Sequence, residues 1–258
     1  MTDTTMTGGN RRIAWITGAG SGIGRALALR LARDGWIVAV SSRTKADLDS
    51  LAVEGNGRIH AYPLDVVDEA AAEDTVSNIE ADLGPIGLAV LNAGIYQRVS
   101  ARGFSAEKFR KMVDVNLSGT ANCLAPIIPR MRARKAGHIA VVSSLTGYAG
   151  LPSAAAYGAT KAALINMCEA LYPELAVDSV KLTVITPGFV DTPATKSNDF
   201  PMPFLIGVDD AVERIVRGLE SGRFEISFPR RMTLLVKLLG LLPHPLRFAV
   251  TRRMVRDD

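Results

Sequence analysis

The chain has 258 residues, 48% of them apolar and 22% charged, with a formal net charge of +4. That is enough apolar material for one large α/β core, and the balance argues against a disordered chain. No uninterrupted apolar run approaches the roughly 20 residues a membrane-spanning helix needs, and Met1–Asn10 reads as a flexible leader without the basic start and apolar core of a signal peptide. A soluble, cytoplasmic protein is therefore expected.

Taken in order, short apolar runs alternate with segments of helical period. Arg12–Thr17 reads as a first buried strand, Ile23–Asp34 as a helix, Trp36–Ser41 as a second strand and Lys45–Val53 as a helix. Arg58–Tyr62 is a third strand, Asp68–Leu83 an amphipathic helix and Gly87–Leu91 a fourth strand. Two helices follow, Ser105–Asn116 and Thr120–Arg134, then the strand His138–Val142, the long helix Ala154–Ala176 and the strand Val180–Thr186. Asp209–Glu220 is a helix and Phe224–Phe228 a seventh strand. Continuous apolar strands separated by helices predict one domain over 11–228: a doubly wound, seven-stranded parallel sheet of Rossmann type with helices on both faces. The segment 229–258 breaks that rhythm. Met232–Leu242 is apolar apart from Thr233, Lys237 and Gly240, and Pro243-His244-Pro245 leads into a second helix ending in Arg252, Arg253 and Arg256.

The chemistry lies at the ends of strands. Thr17-Gly18-Ala19-Gly20-Ser21-Gly22-Ile23-Gly24 joins the first strand to the first helix. Glycines there permit a tight turn and close approach of the backbone to phosphate oxygens, and the helix amides point at the anion. The second strand ends in Ser41-Ser42-Arg43-Thr44, without the carboxylate that would bond a free ribose 2′-hydroxyl. A hydroxyl and a guanidinium suit a 2′-phosphate instead, which favours NADP(H) over NAD(H). Tyr157 and Lys161 stand four residues apart, on one face of the long helix, thirteen residues after Ser144. A phenol beside an ammonium makes a proton donor for hydride transfer.

These segments, with Asn92-Ala93-Gly94, Asn116 and Pro187-Gly188, occur in the order of the short-chain dehydrogenase/reductase superfamily, and the chain resembles its compact branch over roughly residues 11 to 228. The resemblance implies an oxidoreductase interconverting a ketone or aldehyde and an alcohol. Tyr157 would be the general acid or base, and Lys161 would lower its pKa and bind the nicotinamide ribose. Ser144 would bond the substrate oxygen, while Asn116 would kink its helix and hold a water feeding Lys161. It further implies cofactor contacts at Gly18, Ser21, Gly22, Ile23 and Gly24, at Ser42 and Arg43, and at Asp65 and Val66 near the adenine. Asn92, Ala93 and Gly94 would lie beside the ribose, and Pro187, Gly188, Val190 and Thr192 at the carboxamide. A homodimer or homotetramer built through helices 105–134 and 154–176 is expected.

Pro193–Val208 reads as a substrate lid, and Tyr96, Leu145, Tyr148, Leu151, Phe189 and Phe204 as pocket-wall residues for an apolar carbonyl compound. Many tetrameric relatives, the 3-oxoacyl carrier-protein reductases among them, end soon after the seventh strand, so the extension argues against a fatty-acid elongation role by default. An apolar helix must bury itself, against its own domain or a second subunit; peripheral membrane contact through 230–258 and a lid over a lipid-like substrate are the alternatives. Cys123 and Cys168 read as reduced core thiols, and His60, His138 and His244 share no metal-ligand spacing. The basic tail lacks interleaved aromatic residues for nucleic acid. A catalytically silent nucleotide sensor or scaffold is the rival from another class; the presence of Asn116, Ser144, Tyr157 and Lys161 disfavours it. A 3-oxoacyl thioester reductase is the rival within the class.

Overall fold

The computed structural model describes residues 12–196 and 200–255; the leader Met1–Asn10, part of the lid segment and Arg256 fall outside them. Seven strands form one sheet: β1 (Ile13–Thr17), β2 (Ile37–Ser41), β3 (Ile59–Ala61), β4 (Ile86–Leu91), β5 (Gly137–Val142), β6 (Val180–Pro187) and β7 (Glu225–Phe228). Their order is β3-β2-β1-β4-β5-β6-β7, and every neighbouring pair is parallel. Between them lie α1 (Gly22–Arg33), α2 (Lys45–Glu54), α3 (Glu69–Asp82), α4 (Ala106–Val113), α5 (Gly119–Ala133), α6 (Ala155–Val177) and α7 (Val208–Glu220).

Burial on both faces explains why the strands read as continuous apolar runs. Along β1 the side chains alternate between two cores. Ala14 and Ile16 enter the cluster shared with α1 and α7, while Ile13 and Trp15 enter the cluster shared with α3, α5 and α6. Trp15 is fully buried and its indole N–H donates to Ser41 Oγ at 3.0 Å, so the largest core side chain leaves no polar atom unpaired. Two helices start where a side chain caps their free amides: Asp68 accepts from Ala71 N, and Ser105 from Lys108 N.

One boundary differs from the sequence reading. The helices expected over 105–116 and 120–134 form a single rod, α4 and α5 being joined by a π-helical turn, Asp114–Ser118. Residues Val113 and Gly119 on either side keep helical dihedrals, so nothing breaks the chain there. The extra residue in the turn carries Asn116 to the inside, fully buried.

The C-terminal extension forms α8 (Arg230–Leu241) and α9 (His244–Arg252). Helix α8 buries Met232, Val236 and Leu239 against Leu145 and Ala149, with Tyr148, Leu151 and Phe189 around them. Gly240 allows this approach, since a Cβ there would lie 2.7 Å from the carbonyl oxygen of Tyr148. A polar latch completes the seat. Tyr148 Oη donates to Glu225 Oε1 at 2.6 Å, Thr186 Oγ1 donates to the same oxygen at 3.1 Å, and Lys237 pairs with Glu225 Oε2. The Lys237 ammonium also stands 4.7 Å from the centre of the Tyr148 ring. The expectation that an all-round apolar helix buries itself is met on one face only: Leu234, Leu235, Leu238 and Leu241 remain exposed.

The latch has a measurable signature. Burial pushes the Glu225 carboxyl up, but hydrogen bonds from Lys237 and Tyr148 outweigh it and leave the group below its ordinary 4.5. A carboxyl lowered in the folded state adds stability that is complete above the unfolded value and disappears as pH falls through the folded one. Lys237→Met is expected to lower the unfolding free energy by about 1–2 kcal/mol at neutral pH. Urea titrations at about pH 7 and about pH 3 should show the difference between parent and variant shrinking in acid.

Candidate active site

The cleft forms where the sheet order reverses, between β1 and β4, at the carboxyl ends of the strands. The glycine turn is held open there by Asn92, whose Nδ2 donates to the carbonyls of Thr17 and Gly18, both at 3.1 Å. The backbone N–H groups of Asn92 and Ala93 in turn donate to Thr17 Oγ1 at 3.0 and 3.1 Å. Each glycine has a distinct steric reason. Gly18 has φ +66 and a Cβ there would meet Ala93 Cα at 2.7 Å; a Cβ on Gly24 would strike Gly18 O at 2.5 Å. Gly22 has φ +55 and faces Thr192, 3.3 Å from where its Cβ would stand, so the segment after β6 closes over the turn. Ser21 precedes α1 without capping it and no acidic residue occupies the first turn. The helix amides therefore face the cleft with their partial positive charge unopposed.

Ser42 and Arg43 follow β2 at the cleft rim. Arg43 is exposed and has no ion-pair partner among the described residues; with Pro63, Leu64 and Asp65 it lines a cavity of about 310 Å³. The sequence reading found no carboxylate at this strand end, but the fold brings one. Asp47, in the first turn of α2, puts Oδ2 within 3.3 Å of where a Gly20 Cβ would stand, beside Ser42 Oγ at 3.1 Å. Its only sequence signal is its place at the start of a helix that packs back on the turn. Asp65 Oδ1 accepts from Val67 N at 3.2 Å, which makes it a turn former as well as a cavity wall. Val66 is buried and its carbonyl accepts from Asn122 Nδ2 at 3.0 Å. Val190 is buried too, its carbonyl taken by Thr195 Oγ1 at 2.7 Å. A larger cavity of about 680 Å³ lies between α3 and α5; it shares Asp68 with the Arg43 cavity and is lined by none of the motif residues.

Across the cleft, Ser144 ends the loop after β5, and Tyr157 and Lys161 project from α6. Lys161 is buried, its Nζ donating to Val142 O at 2.8 Å and standing 5.5 Å from the centre of the Tyr157 ring. Ser144 Oγ lies between Thr146 N, which donates to it at 3.2 Å, and Pro187 O, 3.4 Å away. Neighbouring Ser143 turns inward and donates to Lys161 O at 2.8 Å, which separates the two serines' places. Asn116 is tied to the loop after β4: Oδ1 accepts from Ile95 N at 2.8 Å, and Nδ2 donates to Ile95 O and to Thr160 Oγ1 at 3.0 and 3.2 Å. Gly94 fits between this carboxamide and the ammonium, a Cβ there lying 3.3 Å from Asn116 Oδ1 and 3.6 Å from Lys161 Nζ.

The electrostatics differ from the simplest expectation. Burial pushes the Tyr157 phenol up to about 12, against which the hydrogen bond from Ser144 acts. Burial also lowers Lys161 to about 8. Desolvation penalises both charged forms, so burial opposes the acidification of Tyr157 expected from Lys161.

The residues expected on the pocket wall separate into two groups. Tyr96 meets Tyr157 edge to face at 5.2 Å, and Phe189 contacts Phe200 at 5.9 Å, so one stands beside Tyr157 and the other beside the segment 193–208. Leu145 is fully buried under α8, and the Tyr148 hydroxyl is spent on Glu225, so these two support the loop from behind. Leu151 packs at the edge of the same cluster. Phe204 is exposed, in the left-handed region at φ +60. The segment expected to be a lid is tied down by Asp191 N to Ile206 O at 2.9 Å and Ile206 N to Phe189 O at 3.1 Å. Cys123 and Cys168 are buried free thiols, both pushed up to about 12 by burial.

Comparison with known proteins agrees with this geometry. Residues 12–201 match the model of the short chain dehydrogenase family. An uncharacterized oxidoreductase of Myxococcus xanthus is 39% identical over 246 residues, covering 94% of this chain and 97% of that one. That alignment omits fewer residues than 229–258 contains, so it extends into the C-terminal helices. The 3-oxoacyl-(acyl-carrier-protein) reductase FabG of Thermotoga maritima is 34% identical over 72% of this chain and 76% of its own. A short-chain dehydrogenase from Burkholderia cenocepacia, solved in complex with NADP, superposes with a TM-score of 0.81 at 26% identity over 96% of this chain and 98% of that one. The chain is an oxidoreductase of the short-chain dehydrogenase/reductase family.

Proposed function

We propose that the protein is an NADP(H)-dependent reductase of apolar ketones or aldehydes, or the corresponding alcohol dehydrogenase, with Tyr157 as its general acid and base. The observation that carries this reading is the convergence of Ser144, Tyr157 and Lys161 on one cleft with the glycine turn of β1. The residues present fit a dinucleotide. The turn offers a cradle that a Cβ would fill, uncapped helix amides suit the pyrophosphate, and Ser42 and Arg43 suit a 2′-phosphate. Asp65 would border the adenine, Asn92 to Gly94 the ribose side, and Pro187 to Thr192 the carboxamide. The nicotinamide supplies the hydride when bound, and its oxidised form adds the positive charge that favours phenolate.

The chain's own residues do the rest. Ser144 Oγ bonds the substrate oxygen and steadies the negative charge that develops there. Tyr157 Oη hands its proton to that oxygen as the carbonyl carbon is reduced, and takes it back in the reverse direction. Lys161, held by Val142 O, bonds ribose hydroxyls and stabilises the phenolate left behind. Asn116 holds the loop after β4 in place, and a water carried near it by the π-helical turn would resupply protons to Lys161. Tyr96 and Phe189 form the apolar wall, with Phe200 and Phe204 on the lid. The enzyme would work in the cytoplasm as a homodimer or homotetramer formed through α4–α5 and α6, where Tyr172 and Val177 are exposed. The kinship with the Thermotoga reductase supports a second reading, a 3-oxoacyl thioester as substrate.

A panel of ketones, aldehydes and 3-oxoacyl thioesters with NADPH and NADH, followed by loss of reduced-cofactor absorbance, tests the reading; no turnover of any carbonyl class would refute it. Tyr157→Phe is expected to lower kcat by about 10²–10⁴ with little change in cofactor binding. Arg43→Asp should weaken NADPH at least tenfold, about 1.4 kcal/mol, while leaving NADH within about threefold; equal losses for both would remove Arg43 from the phosphate site. Lys161 gives a third test. A lysine whose folded pKa is lowered to about 8 from 10.5 opposes folding most below pH 8, and the penalty fades between those values. Lys161→Met should therefore abolish turnover yet raise the Tm of the cofactor-free protein, by roughly 2–5 °C near neutral pH.

A further inference from the structure

The C-terminal helices present a surface the reductase chemistry does not use. Of sixteen exposed large apolar side chains among the described residues, nine lie between 234 and 255, so the exposure is concentrated there. On α8, Leu234, Leu238 and Leu241 fall on one stripe with Leu235 beside it, opposite the buried Met232, Val236 and Leu239. Leu234 is 60% exposed and Leu241 81%. Helix α9 buries only Thr251 and leaves Leu246, Phe248 and Val250 in solvent, followed by Met254 and Val255. This is well beyond the scattered apolar residues of an ordinary surface.

Charge decides what covers it. Residues 226–258 hold seven Lys/Arg and two Asp, both at the last two positions. Lys237 is taken by Glu225, and Arg247 donates to the carbonyls of Gly240 and Leu242. Arg230, Arg231, Arg252 and Arg253 are exposed, with no ion-pair partner among the described residues. A second copy docked by a two-fold axis would bring the same arginines together, with no carboxylate of the patch among the described residues to meet them. An anionic bilayer supplies both needs at once: an acyl boundary for the leucines and phenylalanine, and phosphates for the guanidinium groups at the rim.

We propose that α8 and α9 form a peripheral docking surface for anionic membranes, lying in the interface with the leucine stripe inserted and the four arginines at the headgroups. No helix of the described residues is long and apolar enough to cross a membrane, so the contact is reversible. The proposal rests on this surface alone and does not require the reductase reading. Because the opposite face of α8 seats on the Ser144 loop and on Phe189, docking would put the lid side of the cleft near lipid.

Co-sedimentation of the full chain with phosphatidylglycerol-containing vesicles, against vesicles of phosphatidylcholine alone, tests it. Binding should favour the anionic vesicles at low ionic strength and weaken as salt rises. Replacing Arg230, Arg231, Arg252 and Arg253 by Gln should lower the partition coefficient at least about tenfold. The exposed-face change Leu234→Ser with Leu238→Ser and Leu241→Ser should lower it similarly, while sedimentation velocity shows the same oligomeric state as the parent. Equal sedimentation with both vesicle types, or full binding by the arginine variant, would overturn the proposal. So would dissociation of an oligomer by the leucine variant with vesicle binding unchanged, which would assign the face to a second copy.

Discussion

The molecule depends on one junction, the point where β1 and β4 diverge. Four hydrogen bonds from Asn92 and Ala93 converge on Thr17 and Gly18, using both the backbone and a side-chain amide to join strands 75 residues apart in sequence. Without them the glycine turn would be a loop of unpaired carbonyls at the end of a buried strand. With them it becomes a rigid rim whose free amides point into a crevice. Gly18 and Gly24 are required because the Ala93 backbone and the turn's own carbonyl come closer than any side chain allows. Asn92 thus positions the glycine turn.

The opposing wall shows a different economy. Lys161 and Tyr157 are poorly suited to the buried place they occupy: desolvation pushes the phenol up and the ammonium down. The fold sustains the pair by attaching Lys161 to Val142 O and by holding Asn116 in a π-helical turn against the loop after β4. Burying such a pair costs stability, which the rest of the core offsets. Ground-state strain of this kind is common where chemistry is done.

The extension after β7 joins that wall to the surface. One face of α8 fills the space behind Leu145 and Gly188, and the Glu225–Lys237–Tyr148 latch holds the helix against the loop that carries Ser144. Helix α8 and the Ser144 loop are therefore joined by a short, well-packed path.

The alternation of buried strands and helices was legible in the residues themselves, because a strand covered on both faces needs an unbroken apolar run and leaves that mark wherever it occurs. The glycine turn, Ser144 and the Tyr157–Lys161 pair were legible for a similar reason: local backbone freedom and helical spacing are properties of neighbours in the chain. What tertiary structure alone decided are contacts between distant segments. Asp47 comes to the glycine turn only because α2 folds back on it, and Tyr148 turns its hydroxyl away only because Glu225 and Lys237 converge behind it. Asn116 was expected to kink a helix, yet the form of that kink, a π turn within a continuous rod, depends on a pocket built by Ile95 and Thr160. Hydropathy showed that the last helix was apolar all round. Which half of it would be buried was settled by the shape of the domain beneath, a quantity no single segment encodes.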